Sequence, residues 1–104
     1  MPYAHISHAP HSTLADYRSV DDEIGDPPPD GLLLTILGAD DAGLHVIDLW
    51  ESKAHADRFA AERLLPAFTR TGNGPDADAT YTAFDTVEIT VDDRFAAVAD
   101  AREA

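Results

Sequence analysis

The sequence predicts one α+β domain in which four antiparallel strands carry two helices on one face. Two observations lead there. The first is a strand that passes into a helix with almost no loop, between Leu44 and Phe68. Leu44, Val46, Asp48 and Trp50 alternate there with His45, Ile47 and Leu49, as a pleated strand requires. Beyond Glu51-Ser52, apolar residues recur at helical spacing instead, at Ala56, Phe59, Ala60, Leu64, Ala67 and Phe68. The second observation is the order of elements around this stretch: strand, helix, strand, strand, helix, strand. That order is the split β-α-β arrangement, with the first strand central, beside the third and the fourth.

Each element has its own signal. Tyr3 to Ala9 alternates weakly and reads as the first strand, with Ala4 and Ile6 on its apolar face and Tyr3, His5 and Ser7 on its polar one. Ser12 or Thr13 caps a helix running to about Ile24, in which Leu14, Tyr17, Val20 and Ile24 form the apolar stripe. Gly25 stops it, and Pro27-Pro28-Pro29 cannot continue it; the proline run reads as a stiff connector. Gly31 to Gly38 is a nearly continuous apolar run, the pattern of a strand buried on both faces, and Ala39 to Gly43 is a hairpin turn.

Ser52 caps the second helix by accepting from the backbone N–H of Ala54 or His55, and Pro66 predicts a kink or an end between Leu65 and Phe68. A glycine-rich loop from Thr69 to Ala79 leads to a long last strand, Thr80 to Val91. The domain therefore spans residues 1–91. Residues 92–104 form a tail with few apolar anchors beyond Phe95 and Val98, either helical or frayed.

Composition narrows the function classes. Twenty acidic against 7 basic residues leave a formal charge of -13. Phosphate contact needs clustered Lys and Arg, so nucleic acid and anionic membrane are poor partners. A solvated acidic surface is the plain reading of the charge. With no cysteine, disulfides, thiol nucleophiles and thiolate metal sites are excluded. No basic segment followed by an apolar run opens the sequence, and no apolar stretch reaches membrane-spanning length, so the expectation is a cytoplasmic protein.

The element order together with VIDLWESKAHADRF resembles the dimeric α/β-barrel superfamily, with its ferredoxin-like fold, and in particular the antibiotic-biosynthesis-monooxygenase branch. The likeness runs from about Tyr3 to Val91 and centres on Trp50-Glu51-Ser52. It implies a homodimer, because a second subunit would cover the bare sheet face. It also implies a cofactor-free reaction on an aromatic or polyketide-like small molecule. Haem does not fit the resemblance. The haem-degrading branch pairs a first-strand asparagine with a histidine about ten residues after the tryptophan. Here the first strand has no asparagine, and Phe59 and Ala60 occupy the helical region.

In such a fold the sheet face opposite the helices is expected to line a cavity. If Ala4 and Ile6 suit the helix side, Tyr3, His5 and Ser7 face the cavity, together with Thr35, Asp48, Trp50, Phe84 and Thr86. His5 and Asp48 are the candidate catalytic pair. A neighbouring carboxylate orients an imidazole, which can then take a proton from a phenol or enol. The resulting carbanion-like species reacts with O2 or cyclises. Trp50 would stack on a flat substrate, with Tyr3, Ser7, Thr35, Phe84 and Thr86 as its further contacts.

The bland alternatives stand beside these. His5 reads equally as a hydrogen-bonded structural histidine, Asp48 as the cap of a dimer contact, and Trp50 as a core or interface anchor. His5, His8 and His11 do not form a metal site, since His5 and His8 fall on opposite faces of a strand. His55 reads as wet, and Arg58, Glu62 and Arg63 as surface ion pairs. Three functions remain open: a cofactor-independent monooxygenase-like enzyme, a non-oxidative cyclase or isomerase using the same pocket, and a non-catalytic small-molecule-binding dimer.

Overall fold

The computed structural model describes residues 1–99, and the end of the predicted tail lies outside them. Strands β1 (Tyr3–Ala9), β2 (Leu32–Asp40), β3 (Gly43–Trp50) and β4 (Thr80–Asp85) form one sheet in the order β2-β3-β1-β4. All three pairings are antiparallel, and β1 is central, as expected for a ferredoxin-like α+β domain. Helix α1 (Leu14–Ile24) and a second helical run pack on one face. That run comprises α2 (Lys53–Phe59), a π-helical stretch (Ala60–Leu64) and α3 (Leu65–Thr71). No helix among the described residues is long and apolar enough to cross a membrane.

Local chemistry explains the ends. Thr13 and Asp16 cap α1 reciprocally: each side chain accepts from the other's backbone N–H, at 3.1 and 2.9 Å. At its C-terminus, Arg63 reaches across to donate to the carbonyls of Ile24 and Gly25, both at 3.1 Å. Ser52 caps α2 by accepting from His55 N. Gly72, in the left-handed region at φ 72°, closes α3.

Several expectations give way. The strand phase is inverted: His5, Ser7, Asp48 and Trp50 face the helices, whereas Ile6, Ile47 and Leu49 face away from them. A pleat has only two phases, and small Ala4 and Ile6 gave no strong choice between them. Trp50 is 4% exposed and packs on Phe59 of α2, their ring centroids 5.3 Å apart. The largest side chain thus faces the helical layer.

Strand β4 stops at Asp85, not Val91. Tyr3 pairs with Asp85, so β1 offers no further ladder; both the N–H and the hydroxyl of Thr86 donate to Pro2 O. The chain then crosses toward β2 and enters a short helix α4 (Phe95–Val98), leaving Val87 exposed. β2 is an edge strand with Leu33 and Ile36 about half exposed, so its apolar run is not buried on both faces in this chain. A register irregularity between Leu32 and Leu34 sets Leu33 out of the pairing. The β2–β3 turn is tighter than expected, because Asp40 pairs with Gly43.

Pro66 does not end the second helix. The π-helical stretch comes just before it, with Leu65 N–H bonding back to Ala60 O. The widened turn relieves the clash a proline makes with the preceding turn, and the chain stays helical to Thr71. His55 is half-buried, not wet. Its Nδ1 lies 2.7 Å from Ser52 Oγ, and its ring covers Gly31. Arg58 pairs with Asp30 at 3.4 Å, and the helix-surface pair is Lys53–Asp57 at 2.6 Å. His45 lies on the face away from the helices, stacked on His8 with centroids 4.6 Å apart.

Gly31 has φ 83°, and a Cβ built there would overlap the His55 ring. Gly31→Ala should therefore destabilise the fold by about 1–3 kcal/mol in urea unfolding. Adding His55→Ala should recover only part of the loss, because the backbone strain remains.

Candidate functional site

Between the sheet and the helices lies a cavity of about 470 Å³. The sheet contributes His5, Ser7, Thr35, Asp48, Trp50 and Tyr81; α1 contributes Tyr17 and Val20, and the second helical run Phe59, Leu64 and Phe68. The walls are mostly apolar, with a few polar groups converging on one region, the usual composition of a small-ligand site. The π-helical stretch supplies Ala60 and Leu64 to the wall, and such widened turns recur at functional sites.

Asp48 is the polar centre. Register sets it directly opposite His5 on β1 and directly opposite Thr35 on β2. Thr35 Oγ1 donates to Asp48 Oδ1 at 2.8 Å, so the carboxylate is held by the threonine and not by the imidazole. Asp48 is half-buried, and that desolvation pushes its pKa above the ordinary value of 3.8, against the lowering effects of the Thr35 bond and of His5. Tyr17 faces the same group from α1. Burial first, then the negative charges of Asp48 and Asp21, push its phenol up to about 12, so it stays a neutral hydroxyl at physiological pH. The His5 ring stands 5.6 Å from that of Tyr81, at a tilt of 43°.

Of the residues singled out in the sequence, His5, Ser7, Thr35, Asp48 and Trp50 share this cavity, but it lies on the helical side of the sheet and not on the opposite face where a cavity was expected. Tyr3, Phe84 and Thr86 do not. Tyr3 pairs with Trp50 at the end of the sheet, outside the lining. Phe84 pairs with Ala4 on the face away from the helices and is 49% exposed, and Thr86 lies past the end of β4. The inverted phase explains Phe84, since its neighbours in sequence, not Phe84 itself, point to the helical layer. Tyr17 and Tyr81 were missed. Tyr17 looks like one more member of an apolar stripe, and Tyr81 emerges only when the pairing of Ser7 with Tyr81 is known.

At the mouth, His11 N–H donates to Asp76 Oδ2 at 2.7 Å, and His11 Nε2 lies 2.9 Å from Asp78 Oδ2. These three residues bring one possible metal-ligand atom each within 4.8 Å. His11 and Asp78 are largely exposed, and hydrogen bonding already accounts for the arrangement. His5 and His8 point to opposite faces of β1.

The fold has counterparts among solved structures. Rv0793 from Mycobacterium tuberculosis superposes with a TM-score of 0.63 at 18% identity, covering 88% of this chain and 100% of that one. SnoaB from Streptomyces nogalater, a cofactor-independent oxygenase, gives 0.58 at 16% identity, covering 85% and 94%. The ActVA-Orf6 monooxygenase of Streptomyces coelicolor, solved with nanaomycin D, gives 0.56 at 14% identity, covering 88% and 91%. The chain has the ferredoxin-like fold of the antibiotic-biosynthesis-monooxygenase-like proteins. No family model matches the sequence, and neither does any curated protein.

The raised pKa of Asp48 has a definite sign in stability. The folded state holds this proton more tightly than the unfolded state, so folded stability falls as pH rises from about 3.8 through the raised value. Asp48→Asn removes that penalty and can still accept from Thr35. It should be more stable than the wild type near neutral pH, with the advantage shrinking below pH 3.8 in urea melts across pH. Equal stability at both ends would mean that Asp48 is not desolvated.

Proposed function

We propose that the protein is a cofactor-independent monooxygenase-like enzyme acting on a flat aromatic or polyketide-like phenol or enol. The observation that carries this reading is the convergence of His5, Asp48, Thr35 and Tyr17 on one apolar cavity beside Trp50. In this reading His5 takes the acidic proton of the substrate, and the Asp48 carboxylate opposite stabilises the imidazolium that forms. Thr35 fixes the carboxylate rotamer. The electron-rich carbon then bonds to O2, and the peroxide loses water to leave a carbonyl. One oxygen atom ends in the product and the other in water. The substrate supplies the electrons, so no external reductant is needed. Trp50 and Phe59 form an aromatic corner against which a flat ring can lie. The Tyr17 hydroxyl is a neutral donor for a substrate carbonyl. Neighbours of the same fold with cofactor-independent or ligand-bound oxygenase descriptions support the reaction class.

His5→Ala should lower kcat on an anthrone-type substrate by about 10²-fold or more, the usual worth of a positioned base. Trp50→Phe should act mainly on KM. Unchanged kinetics in both variants, on a substrate the wild type turns over, would remove the proposal. Turnover should stop without O2; a reaction that persists anaerobically would instead indicate cyclisation or isomerisation.

We also propose that a second copy covers the sheet face away from the helices, where Ile6, Ile36 and Phe84 are 37%, 51% and 49% exposed. The wild type should sediment as a dimer and Ile36→Lys as a monomer. A monomeric wild type at micromolar concentration would overturn this assembly.

A further inference from the structure

The cavity is acidic. Four carboxylates line it: Asp48 at the centre, Asp16 and Asp21 from α1, and Asp76 at the mouth. Among the described residues, no lysine or arginine lines it. The lining groups among the described residues that can become cationic are His5 and His11. The His11 ring is already engaged by Asp78, its backbone N–H by Asp76, and His5 stands opposite Asp48. Arg18 of α1 does not line the cavity, although its charge reaches Tyr17, and four other cations of the helical layer are paired elsewhere. Arg58 is on Asp30, Arg63 on the end of α1, Arg70 on Glu23 and Lys53 on Asp57.

That distribution conflicts with the chemistry unless the ligand resolves it. Removing a proton from a phenol or enol builds negative charge on the substrate, in a low-dielectric space already flanked by carboxylates. The other donors of the walls, among them the hydroxyls of Ser7, Tyr17 and Tyr81 and the Asn73 amide, are neutral and carry no charge to offset it, and Thr35 is committed to Asp48. A cation carried by the substrate would offset both the resident and the developing negative charge. It would also be drawn in by the field of a chain with formal charge -13.

Building on the enzymatic reading above, we infer that the site selects flat aromatic substrates bearing an ammonium group, and rejects those bearing a carboxylate. The ammonium would sit between Asp48 and the α1 carboxylates, with the ring against Trp50 and Phe59. Asp48 Oδ1 is taken by Thr35, which leaves its other oxygen for the ligand. Asp21 is exposed at the rim, where it can meet a flexible aminoalkyl arm. The selectivity is electrostatic, so salt should weaken it, most strongly for the rim carboxylates.

Three matched probes test this: 2-naphthol, 6-(aminomethyl)-2-naphthol and 6-hydroxy-2-naphthoate. Each is titrated calorimetrically into the whole protein near neutral pH, at about 0.01 M and about 1 M salt, where Debye lengths are about 30 and 3 Å. The ammonium probe should bind at least about tenfold tighter than the carboxylate probe at low salt, with the neutral naphthol between them; tenfold corresponds to about 1.4 kcal/mol. The ratio should narrow at high salt, and in Asp21→Asn and Asp48→Asn. Because the ratio and its salt dependence are read on the wild type, a variant that folds poorly does not blunt the test. Equal binding of the charged probes, or tighter binding of the carboxylate, overturns the selectivity while a bound neutral naphthol leaves the phenol-site reading standing. If none of the three binds, both fall.

Discussion

Everything in the site depends on the register of β1 against β3. That pairing sets His5 opposite Asp48 and Tyr3 opposite Trp50, and the next pairing outward sets Thr35 opposite Asp48. Side chains along a strand alternate with a period of two, so a slip by one residue would turn this whole row to the other side of the sheet. The register is held from both ends. At one end Trp50 is buried against Phe59. At the other, the tight β2–β3 turn brings Gly43, with φ 114°, so close to Ala9 and Pro10 that no Cβ would fit.

The same constraint accounts for the chemistry of Asp48. A carboxylate in the middle of a central strand, under a helical layer, cannot be well hydrated. It keeps one neutral hydrogen bond from Thr35 and faces the phenol of Tyr17. Charge and burial oppose each other here, and burial has the larger effect, since the pKa moves up. An aspartate placed this way weakens the fold near neutral pH. Such a cost is common where polar groups serve a ligand instead of the core.

Much of the architecture was legible in the sequence because it rests on local signals. Thr13 and Ser52 cap their helices, Gly25 ends α1, and Val46 to Trp50 leads into α2 through short-range chemistry alone. The misreadings share a cause, which is dependence on partners far away in sequence. Strand β4 ends where β1 runs out of residues to pair with, although Val87, Ile89 and Val91 keep alternating. Pro66 is tolerated because the preceding π-turn makes room for it. Arg63 finds the carbonyls that end α1, not a neighbour one helical turn away.

The row of site residues shows the division most clearly. The sequence by itself determined that His5, Ser7, Asp48 and Trp50 occupy alternating positions on two strands, because pleating is a property of the backbone. It also determined the acidic balance and the absence of thiol chemistry. Only the tertiary structure decided which face those residues take, and it chose the helical layer, where Trp50 can be almost fully buried. It alone brought Tyr17 and Tyr81 to the row and removed Phe84 from it. A pleat offers two equivalent phases, and the choice between them is made by what packs above the sheet.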